Sequence, residues 1–314
     1  MKIKSPGIRI LGSGSSLSKT SVTNFDLWPE TSEWVENRLG ISERRHIATE
    51  ENLIDLIYEA ALKALRQSNL EASKLDAIIV ATSTPDLINP SMASVIHGKL
   101  EATPNCASYD IQAVCAGFVY ALGQVAALAS ASDAKYFLVI GADQFSKITD
   151  FGDRNCVFFG DGAAALILEA KTEGDSFLAV ELQAEGTGWE AFHTSNDQRT
   201  FKMNAGEVSK NATAKLPQSI NRICSFVGVK VQDIDYFVTH QPSKPVLDSL
   251  EESLALTKGR LFRNLKFRGN TAGATIPLLF DEMKLLEIAK SGDLICFSAI
   301  GAGWVWGSAI LKWE

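Results

Sequence analysis

The 314-residue chain lacks the residues that several protein classes depend on. Its five cysteines (Cys106, Cys115, Cys156, Cys224 and Cys296) are an odd number with no C-x-x-C pair. Neither a disulfide framework nor a metal site is indicated. A net positive charge is absent: the balance of −7 argues against nucleic acid as a partner and leaves an acidic partner only a local basic patch. Residues 1–6 lack the apolar core and cleavage site of a secretory signal. The longest apolar stretch, 113–129, is broken by Gly117, Gly123 and Gln124, so it reads as a buried helix rather than a membrane span. A dinucleotide loop is missing too, because Leu17 stands at the third glycine position after Gly12 and Gly14. These absences predict a cytoplasmic protein with reduced thiols and no membrane contact.

What is present is an ordinary globular composition, 46% hydrophobic and 21% charged, long enough for one large domain or two fused ones. Continuous apolar runs at Ala77–Ala81, 137–140 and 163–168 suit strands buried on both faces of a sheet. The segment from Leu75 resembles the one from Ile234, an offset of 159, and each follows a helix-like stretch (52–68 and 211–227). Similar order at nearly constant offset predicts two copies of one βαβ-rich unit, 1–170 and 171–314, sharing a core. The junction at Cys115 finds its counterpart at Asn270 on this reading, an offset of 155. Residues 13–43 and 186–206 lose the pattern and are expected to form loops, the former with a turn and a short helix near Trp34.

Cys115 carries the chemistry. It lies where a polar, strand-like entry turns into a small-residue, helix-forming run, and a helix N-terminus stabilises a thiolate, so its pKa is expected to be lowered. His240 ends an apolar strand, and Asn270 follows Gly269 in a second strand-to-helix junction. A thiol with a distant histidine and asparagine is a vocabulary of covalent catalysis. The other four cysteines read as buried small hydrophobes, and His46, His97 and His193 as surface or helix-face residues. Arg44-Arg45 leaves two readings open, a solvated charge pair or a contact to a nucleotide or acidic partner.

Six ordered motifs carry a family resemblance over nearly the whole chain. They are Trp34 with Arg38 to Arg45, the Cys115 segment, Gly152-Asp153-Arg154 with Phe159 to Ala164, His240-Gln241, Gly269-Asn270-Thr271, and Gly301 to Ser308. Together they resemble the thiolase superfamily, specifically the β-ketoacyl-acyl carrier protein synthase III group. The resemblance implies an α/β thiolase-like fold with two duplicated halves in a layered αβαβα core. It implies a decarboxylative Claisen condensation that starts fatty-acid synthesis. Cys115 would take an acyl group from acyl-CoA, and the N–H groups of Cys115 and Gly303 would hold the oxyanion. His240 and Asn270 would donate to the enolate formed from malonyl-acyl carrier protein. Trp34, Arg38, Arg154 and Ser243 would bind CoA, and Lys210 and Lys244 the carrier. No metal and no permanently bound cofactor is implied; acyl-CoA is a substrate, and the protein is expected to be a homodimer.

Four positions depart from that pattern. Ser243 replaces an asparagine that contacts the pantetheine arm, and Pro245 a basic carrier contact. Ser209 and Asn89 stand where large aromatics border the tunnel and the partner's acyl pocket. Lost ring volume and the Asn89 amide predict acyl groups longer or more polar than acetyl. They also keep open a ketosynthase or acyltransferase of a specialised pathway, with a different donor or acceptor. A non-catalytic partner subunit fits poorly with Cys115, His240 and Asn270 all retained.

Overall fold

A computed structural model describes residues 1–171, 176–195, 197 and 199–313. Its principal strands are β1 (Lys2–Pro6), β2 (Ile8–Ser16), β3 (Ala77–Ala81), β4 (Ala107–Ile111), β5 (Tyr136–Asp143), β6 (Gly162–Ala170), β7 (Phe177–Ala184), β8 (Tyr236–Thr239), β9 (Leu294–Gly301) and β10 (Val305–Lys312). The helices that pack on them are α1 (Leu53–Ser68), α2 (Met92–Lys99), α3 (Gly117–Ala131), α4 (Ala205–Val227), α5 (Lys244–Ser253) and α6 (Thr275–Leu285). Helix α1 shows why such segments form. Asn52 accepts the Asp55 N–H at 2.8 Å to start it, and Asn69 ends it with a left-handed φ of 51°. Leu53, Leu56, Ile57, Ala60, Ala64 and Leu65 fall at helical spacing and are buried, one apolar stripe laid on a sheet.

The two sheets repeat one plan. The first runs β2-β6-β5-β3-β4 and the second β1-β7-β10-β9-β8. In each, one parallel pair (β3 with β5, β8 with β9) is followed by two antiparallel pairings through β6 or β10 to β2 or β7. The second sheet gains β1, drawn from the N-terminus, on its outer edge. Helices α3 and α6 contact both sheets and form the middle layer, while α1 and α2 cover the first sheet and α4 and α5 the second. The result is the layered αβαβα core with duplicated halves. Among the described residues one helical segment, Val114–Ala131, is long and apolar enough to cross a membrane. Its side chains instead fill the core between the sheets, with Phe118, Val119, Leu122 and Val125 buried.

Three expectations are corrected. Residues 186–206 are not mere loop: a two-stranded ribbon (Phe192–Thr194 with Phe201–Met203) folds there, and α4 begins at Ala205, six residues before Asn211. Asn204 caps it by accepting the Glu207 N–H, a local bond that apolar spacing does not reveal. Asn196 and Gln198 lie outside the described residues. In 13–43, β2 runs on to Ser16 and Ser21–Thr23 pairs with Glu43–Arg45, with the short helix Ser32–Trp34 as expected. The structural counterpart of Cys115 is Gly273, not Asn270. The turn Val114–Ala116 leads into α3 as Ala272–Ala274 leads into α6, an offset of 158, and Val114 and Ala272 share a φ of 46°.

Candidate active site

Cys115 sits in the single turn Val114–Ala116 between β4 and α3, 4% exposed. Val114 before it holds a positive φ, which a β-branched residue adopts only under constraint from its surroundings. The expected lowering of the thiol pKa does not hold. Burial pushes it well above its ordinary value and the Asp143 carboxylate adds to the rise, while the N–H of Cys115 itself opposes them. The sequence shows a helix start but not how completely the sulfur is removed from water.

His240 and Asn270 converge from the second half. His240 follows β8, donates its backbone N–H to Ser298 O at 2.8 Å, and brings Nε2 to 3.0 Å from Asn270 Oδ1. Asn270 is tied to the first half through its own N–H to Phe158 O (2.9 Å) and the Gly160 N–H to its carbonyl (3.0 Å). Asn270 Oδ1 also accepts the Ala272 N–H at 2.9 Å, which fixes the amide oxygen on that side. Nε2 of His240 is therefore the protonated nitrogen, and Nδ1 is a buried acceptor with no partner among the described residues. Burial lowers the His240 pKa to about 4, the Asn270 contact opposing the drop.

That shift carries a stability consequence. The folded protein resists protonation at His240 down to about pH 4, whereas an unfolded histidine binds a proton near 6.5. Stability from this site is fully present above the unfolded value and is lost as pH falls through 6.5 towards 4, by roughly 3 kcal/mol in all. His240→Gln should remove most of that acid sensitivity. Urea denaturation at neutral pH and near pH 4.5 measures it; an unchanged acid slope in the variant would place the loss elsewhere.

A cavity of about 630 Å³ joins these groups to solvent, lined by Cys115, His240, Asn270 and the buried Ser243 and, toward the surface, by Trp34 and Arg154. Trp34 is 55% exposed, an indole face open to a planar group. Arg38 is exposed and Gly303 lies between the lining residues Ala302 and Trp304, but neither itself lines the cavity. Ser209 and Pro245 line it; Asn89 sits on an exposed loop away from it. Lys210 is ion-paired with Glu207 at 3.6 Å and Lys244 with Asp248 at 2.8 Å, both on the surface. Among the described residues no cluster of three metal-ligating side chains gathers.

Several features escaped the sequence reading. Phe145, Phe159, Phe192 and Phe201 pack around Cys115, with Phe145 and Phe159 stacked at 4.5 Å. They come from four separate segments with no shared period. Arg44 is neither solvated nor a ligand contact: it is fully buried, its Nη2 donating to Asn24 Oδ1 (2.7 Å) and Val157 O (2.6 Å). His46, expected at the surface or on a helix face, lies on neither: it is 9% exposed outside any helix, with Nε2 3.2 Å from Phe159 O. Asp143, fully buried at the end of β5, was missed entirely, although a lone charge closing an apolar strand was a usable signal.

Duplicated layers that set a helix-start thiol opposite a histidine–asparagine pair are the arrangement of the thiolase-fold condensing enzymes, and that class is the one defined here. Residues 109–186 and 224–313 match the N-terminal and C-terminal models of 3-oxoacyl-[acyl-carrier-protein] synthase III. Beta-ketoacyl-[acyl-carrier-protein] synthase III of Clostridium acetobutylicum is 38% identical over 98% of both chains. The solved synthase III of Aquifex aeolicus superposes with a TM-score of 0.94 at 37% identity, over 98% of this chain and 100% of its own. A priming beta-ketosynthase of the R1128 polyketide pathway superposes at 0.92 with 26% identity, over 98% and 96%. The chain belongs to the 3-oxoacyl-[acyl-carrier-protein] synthase III family and is an acyltransferase.

Proposed function

We propose that this chain condenses a Cys115-bound acyl group with malonyl-acyl carrier protein to start fatty-acid synthesis. Cys115 Sγ attacks the acyl-CoA carbonyl, the thiol proton leaves with the CoA sulfur, and the N–H groups of Cys115 and Gly303 hold the oxyanion. Malonyl-carrier protein then loses CO2, and the His240 Nε2–H, shared with Asn270 Oδ1, and the Asn270 Nδ2–H donate to the thioester oxygen of the enolate. The enolate carbon attacks the acyl carbonyl, the C–S bond to Cys115 breaks, and the departing thiolate takes a proton from solvent to restore the thiol. Trp34 and Arg154 at the mouth suit the adenine and phosphates of CoA, with Arg38 and Ser243 as further contacts; no bound cofactor takes part. The observation that carries this reading is the meeting of Cys115, His240 and Asn270 on one cavity. Intact-protein mass spectrometry over a panel of acyl-CoA thioesters, followed by malonyl-carrier protein, tests it. One acyl adduct, discharged on adding the malonyl donor with release of CO2, is expected; an adduct that water alone discharges would point to a hydrolase.

A specialised-pathway ketosynthase is the second reading, favoured by Ser209 and Pro245 on the cavity wall and by the likeness to the R1128 priming enzyme. A preference for acyl groups longer or more polar than acetyl in the same panel would support it. The protein is further proposed to be cytoplasmic, built of units 1–170 and 171–314, and a homodimer. Strand β4 ends its sheet with one unpaired edge, and Ile88 beside Asn89 is 94% exposed, which a second copy would cover. Sedimentation at micromolar concentration should give twice the chain mass; a stable, active monomer would refute it.

A further inference from the structure

The duplication is broken at one place, and the break falls on the reaction centre. With an offset of 158, Cys115 matches Gly273 and Asp143 matches Gly301. In one half the turn amide is capped: the Gly273 N–H donates to Asp143 Oδ2 at 2.8 Å. In the other half the capping residue is a glycine. A Cβ at Gly301 would come within 2.7 Å of Ala113 O and 3.1 Å of Cys115 N, so position 301 has no room for a capping side chain. One amide is left for chemistry and its twin is locked.

Asp143 locks more than an amide. Its Oδ1 accepts from the Ser83 N–H (2.8 Å), Ser83 Oγ (2.9 Å) and Thr84 Oγ1 (2.7 Å), on the loop that leads to Asn89. All these partners donate to the carboxylate, and they oppose the upward push that burial gives its pKa. The clamp therefore joins the Ser83–Thr84 loop to the turn that carries Ala272, whose own N–H fixes Asn270 Oδ1.

We infer that Asp143 is a positioning residue for the condensation half-reaction, holding the Ala272–Ala274 turn so that Asn270 and His240 keep their common orientation. The inference rests on the condensing role proposed above. An amide in place of the carboxylate would set an NH2 against one of the donors now satisfied, Ser83 N–H on one side or Gly273 N–H on the other.

The test compares Asp143→Asn with the unaltered protein, using an acyl-CoA that the latter accepts and malonyl-loaded acyl carrier protein. Acylation of Cys115 should keep at least about a third of its normal rate, since losing the carboxylate relieves part of the rise in the thiol pKa, while decarboxylation falls at least about tenfold. In an Asn270→Ala background the same change should add little, because its effect runs through Asn270. Equal loss in both steps, or full additivity with Asn270→Ala, overturns the inference. Gly273→Ala approaches the same contact from the other side, since its Cβ would lie 2.8 Å from Asp143 Oδ2, and it decides the matter if Asp143→Asn does not fold. Failure of the unaltered protein to condense would instead defeat the proposed function, so the two failures are distinguishable.

Discussion

Cys115→Ala is expected to abolish acyl-enzyme formation and to lower condensation by at least about 10⁴-fold, because Cys115 is the one thiol among the described residues that line the cavity. Cys106 and Cys156 are poor substitutes, because neither lines the cavity on which Cys115, His240 and Asn270 meet. Slow decarboxylation of malonyl-carrier protein should survive, since His240 and Asn270 remain in place. Mass spectrometry of the intact protein and its peptides reads the first effect, and CO2 release the second. An adduct retained in the variant would move the nucleophile elsewhere. The raised thiol pKa adds a pH signature. Acylation of the unaltered protein should climb about tenfold per unit from about pH 6 to about pH 8, with no plateau near neutrality. A plateau at neutral pH would mean that the helix-end amides outweigh burial.

The limits of the sequence are physical. The duplicated strands were legible because residues buried on both faces must be apolar throughout, as Ala77–Ala81 is. Cys115, His240 and Asn270 were legible as polar groups isolated where apolar segments end. The register between the halves is hidden in the sequence because Asn270 is polar and Gly273 is silent, whereas the backbone shows the match through the positive φ shared by Val114 and Ala272. Arg44 and Arg45 looked like one charged pair, yet strand alternation turns Arg44 inward and leaves Arg45 half exposed. Asp143 depends on Ser83, Thr84 and Gly273, which lie 60, 59 and 130 positions away and which no local pattern connects. The thiol's titration is set by the same long-range closure that buries it.

Asn270→Ala and His240→Ala should separate the two half-reactions. Neither residue is needed to bring Cys115 to the acyl-CoA carbonyl, so each variant should still take one acyl group. Each removes one donor aimed at the developing enolate, which costs decarboxylation about 10²–10³-fold. The effects should not add. His240 Nε2–H and Ala272 N–H share Asn270 Oδ1, so losing the asparagine also frees the imidazole to turn, and the double variant should resemble the single ones. The pH dependence follows from the His240 pKa of about 4. The neutral, Nε2-protonated ring persists above about pH 5, so decarboxylation by the preformed acyl-enzyme should be flat from there to about pH 8. It should fall only as a proton reaches Nδ1 at lower pH. Single-turnover measurements on isolated acyl-enzyme read this step apart from acylation, with its different pH slope. A decline already beginning at pH 6.5 would show His240 to be an ordinary solvated imidazole. Equal loss of acylation and decarboxylation in both variants would assign the pair to thiol activation instead.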